Sequence, residues 1–200
     1  MRPQPIKARI RPSIVPAMIA VILSLPPCAA CEEYTTDPSP AVNPPAGNLI
    51  PNGSFERNGQ ATLDTWQVSN SSLTTLAPQA APEGGQWSLR LQSDGAPSTG
   101  QVKFQVPGLK DGDSVRLSAY VRADDSGGGL VGLEVTSADG RLRHKSFAST
   151  EDTQWTQVRV TDTLSLEPGD NVWVVLRSPP TQLNARAGLF DLVKLERLGK

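Results

Sequence analysis

Apolar and polar residues alternate along most of the chain with a period of two. In SVRLSAYVRAD (114–124), every second residue is apolar, namely Val115, Leu117, Ala119 and Val121. Alternation of this kind is typical of β-strands that turn one face toward a core. The same pattern predicts six further strands, at residues 87–91, 101–106, 129–137, 156–164, 171–178 and 188–198.

Turn sequences separate these predicted strands. LKDGDS (109–114), SADGR (137–141) and LEPGDN (166–171) carry Asp-Gly or Pro-Gly pairs, which favour tight turns between strands. No window has the capping pattern of a helix longer than one or two turns. Many short strands joined by turns predict an all-β fold, and specifically an antiparallel jelly-roll β-sandwich.

Residues 1–31 are predicted to be a signal peptide. Four basic residues precede a 12-residue apolar run at 14–25. That run is too short to cross the roughly 30 Å of a bilayer as a helix, but it fits a secretory signal. Residues 32–47 hold four prolines and few apolar residues, so we expect a disordered linker there. Residues 48–200 suit one folded domain.

The only two cysteines, Cys28 and Cys31, follow the apolar run. Ala29 and Ala30 before Cys31 resemble a bacterial lipobox, although Cys28 stands where that pattern has leucine. The resemblance implies cleavage before Cys31 and lipidation of Cys31. Ordinary cleavage, which would release a secreted protein, is the alternative. We expect no metal here, because no histidine or second cysteine pair lies nearby. Either way, the domain leaves the cytoplasm without any cysteine to form a disulfide.

The charge balance argues against a nucleic-acid partner. The formal net charge is −1, and without a basic field the chain has little attraction for a polyanionic backbone. Catalysis is also not expected. The single histidine, His144, lies between two basic residues, and the domain has no cysteine, which argues against a nucleophilic triad. Two carboxylates acting as a small glycoside hydrolase are a further alternative.

Five motifs occur in order over residues 48–198: NLIPNGSFE (48–56), GGQWSLRL (84–91), SVRLSAYVRAD (114–124), TQWTQVRV (153–160) and LFDLVKL (189–195). The series resembles the carbohydrate-binding modules of families 4, 9 and 22, which are galactose-binding-like β-sandwiches. This resemblance implies a non-catalytic, lectin-like module that binds a polysaccharide or another glycan.

The resemblance also implies a structural calcium ion between the opening turn and the last strand. The matching positions are Glu56 and Asp191, and carboxylates with turn carbonyls are the oxygens that Ca²⁺ prefers. Calcium would tie the two ends of the domain together in place of a disulfide. The alternative is that both residues are ordinary surface acids. Gly53 in the opening turn is expected to supply a positive φ.

Sugar modules of this type place aromatic rings on a sheet face that is open to solvent. Residues at the polar parity of the predicted strands are the candidates for this face: Arg116, Tyr120, Arg122, Glu134 and Trp173. The charged candidates have a simpler interpretation as ion pairs across strands. Trp66 and Trp155 match family positions in the core, so they are not candidates.

Two hypotheses of different classes follow. The first is a carbohydrate-binding module in the cell envelope, attached to the membrane by a lipid on Cys31 or, alternatively, secreted. The second is a protein-interaction or envelope-structural sandwich that has lost sugar binding and has a protein partner instead.

Overall fold

A computed structural model of the chain describes residues 47–94, 99–124, 127–179 and 186–199. The predicted signal peptide, the predicted lipidation site Cys31 and nearly all of the predicted linker lie outside these residues. Within the described ranges, no helix has the length and apolar character needed to cross a membrane.

Twelve strands and one short 3-10 turn, Ser71–Leu73, make up the described fold. The strands in chain order are β1 (Glu56–Arg57), β2 (Gln60–Ala61), β3 (Gln67–Val68), β4 (Thr74–Ala77), β5 (Ser88–Ser93), β6 (Gln101–Val106), β7 (Ser114–Asp124), β8 (Gly129–Thr136), β9 (Leu142–Thr150), β10 (Thr156–Thr163), β11 (Asn171–Arg177) and β12 (Arg186–Arg197).

Ten of these strands form two five-stranded antiparallel sheets. Sheet I has the order β10-β7-β12-β5-β4, and sheet II has the order β3-β6-β11-β8-β9. The remaining pair, β1 and β2, forms a short hairpin. Neighbours within each sheet are mostly not consecutive in sequence, as expected for a jelly roll. The predicted all-β, antiparallel jelly-roll sandwich is confirmed.

The core lies between the two sheets and consists of the apolar residues that alternate along the strands. β7 contributes Val115, Leu117, Ala119 and Val121, all without exposed surface. Sheet II supplies the opposite layer from β6, β8 and β11, with Val102, Val131, Leu133, Val174 and Leu176 equally buried. Strict alternation therefore fixes which side chains point outward from each sheet.

The first and last segments of the domain lie side by side. The Leu49 amide donates to the Leu195 carbonyl over 2.8 Å, and the Val193 amide donates to the Gly53 carbonyl over 2.8 Å. The prediction of a positive φ at Gly53 is wrong, because Gly53 is not among the residues with positive φ. Glycine is required there for space, since a Cβ would lie 1.9 Å from the carbonyl oxygen of Val193.

A β-bulge interrupts β12 where it passes this opening segment. The register of β12 against β7 shifts between Asp191 and Lys194, and Leu192 within the bulge has a φ of 48°. Such a φ is uncommon for a residue with a side chain. All residues of β12 from Ala187 to Asp191 are buried, so both faces of the strand are covered here, which alternation alone does not predict.

Candidate functional site

The candidate ligand residues divide between the outer faces of the two sheets. Arg116, Tyr120 and Arg122 belong to β7 of sheet I, whereas Glu134 and Trp173 belong to β8 and β11 of sheet II. Because the core separates the two outer faces, no single binding surface holds all five residues. The expectation of one shared face is therefore wrong.

On sheet I, the arginines among these candidates contact neighbouring side chains. Arg116 bonds to Glu196 on β12 over 3.1 Å. Arg122 donates to the side-chain oxygen of Gln79, and its guanidinium lies 5.3 Å from the centre of the Trp155 ring. The alternative of ordinary cross-strand pairing describes Arg116 well. Trp155 is partly exposed rather than a core residue.

Tyr120 lines a cleft of about 480 Å³ beside the opening segment. Ser118, Gln157 and Lys194 share this cleft with Tyr120, and residues of the opening turn and of the β12 bulge also line it. Lys194 is bonded to Glu196 over 2.7 Å. The Tyr120 cleft thus contains one aromatic ring and a neutralised cation.

On sheet II, the cross-strand register brings Trp173 and Glu134 side by side, with Gln105 beyond Trp173 and Lys145 beyond Glu134. The Trp173 indole N–H donates to the Thr136 hydroxyl over 3.1 Å, and this bond fixes the orientation of the ring. Glu134 is only 7% exposed, so its carboxylate needs a partner.

The partner of Glu134 is Lys103, which the sequence prediction missed. The Lys103 ammonium donates to the Glu134 carboxylate over 2.6 Å. Lys103 stands on β6, across β11 from Glu134. Its parity along β6 matches that of the outward residues, and this was the available signal. The pair places an ammonium and a carboxylate beside the Trp173 ring.

Phe147 supplies a second ring on the same face. Phe147 is the cross-strand partner of Gly132, and a Cβ at Gly132 would lie 2.1 Å from the Phe147 ring. The ring therefore rests on the backbone of β8 where no side chain intervenes, as is common where glycine interrupts a strand. Arg177 covers this ring, with its guanidinium 5.2 Å from the ring centre. We call this surface, which carries Lys103, Glu134, Phe147, Trp173 and Arg177, the sheet II face.

Glu56 and Asp191 are close together, as the resemblance implied. Asp191 is fully buried and accepts hydrogen bonds from the amides of Ala81 (2.9 Å) and Leu192 (2.7 Å). Burial raises the pKa of Asp191 from 3.8 to about 7; the two amides oppose this rise, and the Glu56 charge adds to it. Two carboxylates that repel each other in a buried place favour a cation between them.

A glycine pair shapes the space around these carboxylates. A Cβ at Gly84 would lie 2.0 Å from Asp191 Oδ2 and 3.0 Å from the Ala81 carbonyl oxygen, and a Cβ at Gly85 would lie 1.8 Å from Glu56 Oε1. Carboxylate and carbonyl oxygens thus converge where side chains are excluded, which fits the oxygen ligands of calcium. Among the described residues, no three Asp, Glu, His or Cys side chains lie close enough together to hold a metal ion, so backbone oxygens would complete such a site.

Backbone strain accompanies the carboxylate pair. Phe55, next to Glu56, has a φ of 57°, and Leu192, next to Asp191, has a φ of 48°. Glu83, next to Gly84, has a φ of 68°. Conformations of this kind cost about 1–3 kcal/mol each and concentrate at functional sites. The three strained residues therefore favour a functional role for the Glu56–Asp191 pair.

His144 lies apart from these sites. One of its ring nitrogens, Nε2, is 2.8 Å from the Asp162 carboxylate, and the side chain is 51% exposed. Within the described part of the chain, no serine or threonine hydroxyl is hydrogen-bonded to His144. The geometry does not match the base and nucleophile of a triad.

These features define a β-sandwich with an aromatic and polar sheet face. A model of the carbohydrate-binding domain family 4/9 matches residues 47–183, and the chain belongs to that family. The carbohydrate-binding resemblance inferred from the motifs is confirmed. Among the curated proteins, no relative matches.

Solved structures share the fold at low sequence identity. TmCBM61, solved with β-1,4-galactotriose, is 18% identical with a TM-score of 0.52, covering 76% of this chain and 99% of that one. The CBM22-1 xylan-binding domain from Paenibacillus barcinonensis is 15% identical with a TM-score of 0.52, covering 71% and 91%. The enzymatically active domain of the bacteriophage CBA120 tailspike protein 4 is 10% identical with a TM-score of 0.57. Its alignment covers 76% of this chain, but only 22% of the tailspike chain.

Proposed function

We propose that this protein binds a polysaccharide or another glycan through the sheet II face and does not catalyse a reaction. The observation that carries the proposal is the partly exposed Trp173 ring beside the Lys103–Glu134 pair, with Phe147 and the Arg177 that covers it on the same sheet surface. The opposite face offers the Tyr120 ring in its cleft and the partly exposed Trp155 ring, which Arg122 covers. Membership of the carbohydrate-binding domain family supports the ligand class.

The chemistry of the sheet II face suits a sugar. Aromatic rings stack on the apolar CH faces of pyranoses, and buried polar groups fix the orientation of a ligand. The Glu134 carboxylate accepts hydrogen bonds from sugar hydroxyls, while the Lys103 ammonium donates to hydroxyl and ring oxygens. Because the two groups are already paired in the free protein, little reorganisation is needed when the sugar binds.

Calcium at Glu56 and Asp191 is proposed as a structural ion. It would neutralise the repulsion between the two carboxylates and hold the opening segment against the end of β12. It would take no part in binding the sugar. Lipidation at Cys31 and location in the cell envelope, with secretion as the alternative, remain proposals based on the first 31 residues.

Affinity electrophoresis tests the proposed face. The purified protein is run through gels that contain soluble xylan, β-galactan, β-glucan or pectin, beside Trp173→Ala and Tyr120→Ala variants. We expect at least one polysaccharide to retard the protein, and we expect Trp173→Ala to abolish the retardation while Tyr120→Ala leaves it intact. Circular dichroism melts check that both variants fold.

Three outcomes would contradict the proposal. Retardation that is lost with Tyr120→Ala and kept with Trp173→Ala would place the sugar in the Tyr120 cleft. Migration unaffected by any polysaccharide would favour the protein-interaction or envelope-structural hypothesis instead. Release of reducing sugar during incubation would indicate a glycoside hydrolase.

A further inference from the structure

The sheet II face carries more positive charge than the protein as a whole. Three successive cross-strand rows of sheet II, through Trp173, Val175 and Arg177, contain the cations Lys103, Lys145 and Arg177 but only one acid, Glu134. The whole chain has a formal net charge of −1. The surplus of cations is therefore local to the face on which the sugar is proposed to lie.

Arg177 differs from Arg90 and Arg116 of the opposite face, although Arg122 there also lies over a ring without a carboxylate partner in the described structure. Among the described residues, no carboxylate is paired with Arg177, and its buried Nε has no hydrogen-bond partner. Its cross-strand neighbours Gln101 and Leu130 are uncharged. On sheet I, by contrast, Arg90 binds Asp124 over 2.7 Å and Arg116 binds Glu196 over 3.1 Å. The positive charge of Arg177 is therefore not neutralised by any carboxylate of the described chain.

The Phe147 ring positions the guanidinium of Arg177 on the sheet II face. The guanidinium lies 5.2 Å from the ring centre, within the range of a cation–π contact. Phe147 in turn rests on Gly132, where a Cβ would come within 2.1 Å of the ring. A stacked guanidinium can still donate from its terminal N–H groups, which match the oxygens of a carboxylate or sulfate group.

We propose that the glycan bound by this face carries an anionic group, a carboxylate or a sulfate, and that Arg177 binds this group. The inference rests on the proposed function, because it assumes that the sugar lies on the sheet II face. Lys103 does not take this role, since Glu134 neutralises it within 2.6 Å. Lys145 is exposed and adds longer-range attraction.

Matched pairs of polymers test the charge preference. Polygalacturonate is compared with the same polymer fully methyl-esterified, and a sulfated galactan with its desulfated form, by affinity electrophoresis. We expect the protein to bind one anionic polymer at least about tenfold more tightly than its neutral counterpart, and we expect the difference to shrink as salt screens the charges. The pair that shows the preference identifies carboxylate or sulfate as the ligand group.

Two variants assign the effect to Arg177. Arg177→Gln should reduce binding of the anionic polymer to about the level of the neutral one and lower binding of the neutral polymer by a much smaller factor, and a circular dichroism melt checks that the variant folds. Arg116→Gln removes the same charge from the opposite face and should change the binding of neither the anionic nor the neutral polymer. Equal binding of charged and neutral polymers, or equal effects of the two variants, would overturn the inference.

The two proposals fail in different ways. If a neutral polymer binds as well as the charged one and Trp173→Ala abolishes that binding, the sheet II face is the sugar site but the anionic preference is wrong. If neither member of either pair binds, and none of the neutral polysaccharides does, both proposals are wrong.

Discussion

The stability of the protein should fall with rising pH in the absence of calcium, because Asp191 is buried beside Glu56. The pKa of Asp191 is raised from 3.8 to about 7 in the folded protein, first by burial and then by the Glu56 charge. At pH 4 and below, Asp191 is protonated in the folded state, and burying the neutral carboxyl group costs little of the unfolding free energy. As the pH rises toward 8, the unfolded chain releases this proton first, so ionisation progressively favours unfolding.

The size of the effect follows from the same pKa. Each tenfold change in proton affinity is worth about 1.4 kcal/mol, so the rise at Asp191 corresponds to a loss of about 4 kcal/mol of unfolding free energy between pH 4 and pH 8. A bound calcium ion favours the ionised carboxylate. Saturating calcium should therefore remove most of this loss and stabilise the protein further by mass action.

Urea denaturation at several pH values, in chelator and in calcium, measures this loss. Other groups also titrate, so the variant Asp191→Asn is the control, and the quantity of interest is wild-type minus variant stability. In chelator that difference should fall by about 4 kcal/mol from pH 4 to pH 8; in calcium it should stay nearly level. If the stability difference does not change with pH in chelator, the pKa of Asp191 is not raised in the folded protein. If the difference falls equally in chelator and in calcium, calcium does not bind at Asp191.

Three further predictions concern the packing of the sandwich. Gly53→Ala places a Cβ 1.9 Å from the Val193 carbonyl oxygen and should cost about 1–3 kcal/mol in urea denaturation; unchanged stability would contradict the close contact of the first and last segments. Trp66→Phe removes the buried indole bond to the Asn52 carbonyl, which spans 2.7 Å, and should cost about 1–3 kcal/mol, whereas a neutral change would show that water replaces it. Gly132→Ala should displace the Phe147 ring and weaken retardation by the glycan with little change in melting temperature; Gly199→Ala, with open space around it, is the control, and full retardation of Gly132→Ala would count against Phe147.

The sequence was sufficient to predict the strands whose alternation is strict. β6 and β7 begin and end at the predicted residues, 101–106 and 114–124. The two-residue strands β1, β2 and β3 were missed, because so short a stretch has no periodicity to detect. The bulge at Leu192 was also missed, since it depends on contact with the opening segment rather than on local sequence.

The candidate site was predicted less completely for a topological reason. Parity along a strand indicates which side chains face outward, but it does not indicate which sheet the strand joins. Tyr120 and Trp173 both alternate with core residues along their strands and therefore both point outward, yet they lie on opposite faces of the sandwich. Lys103, Phe147 and Arg177 join Trp173 only because β6, β11, β8 and β9 are neighbours in sheet II, an order that the sequence does not state.

An NMR titration shows which face of the sandwich binds the sugar. The ¹⁵N-labelled protein is titrated with an oligosaccharide from the polysaccharide that gives the strongest retardation. We expect the largest shifts in β6, β8, β9 and β11, with the Trp173 indole signal among them. Shifts concentrated instead at Ser118, Tyr120 and Gln157, or no shifts with any glycan tested, would show that the sugar does not bind the sheet II face.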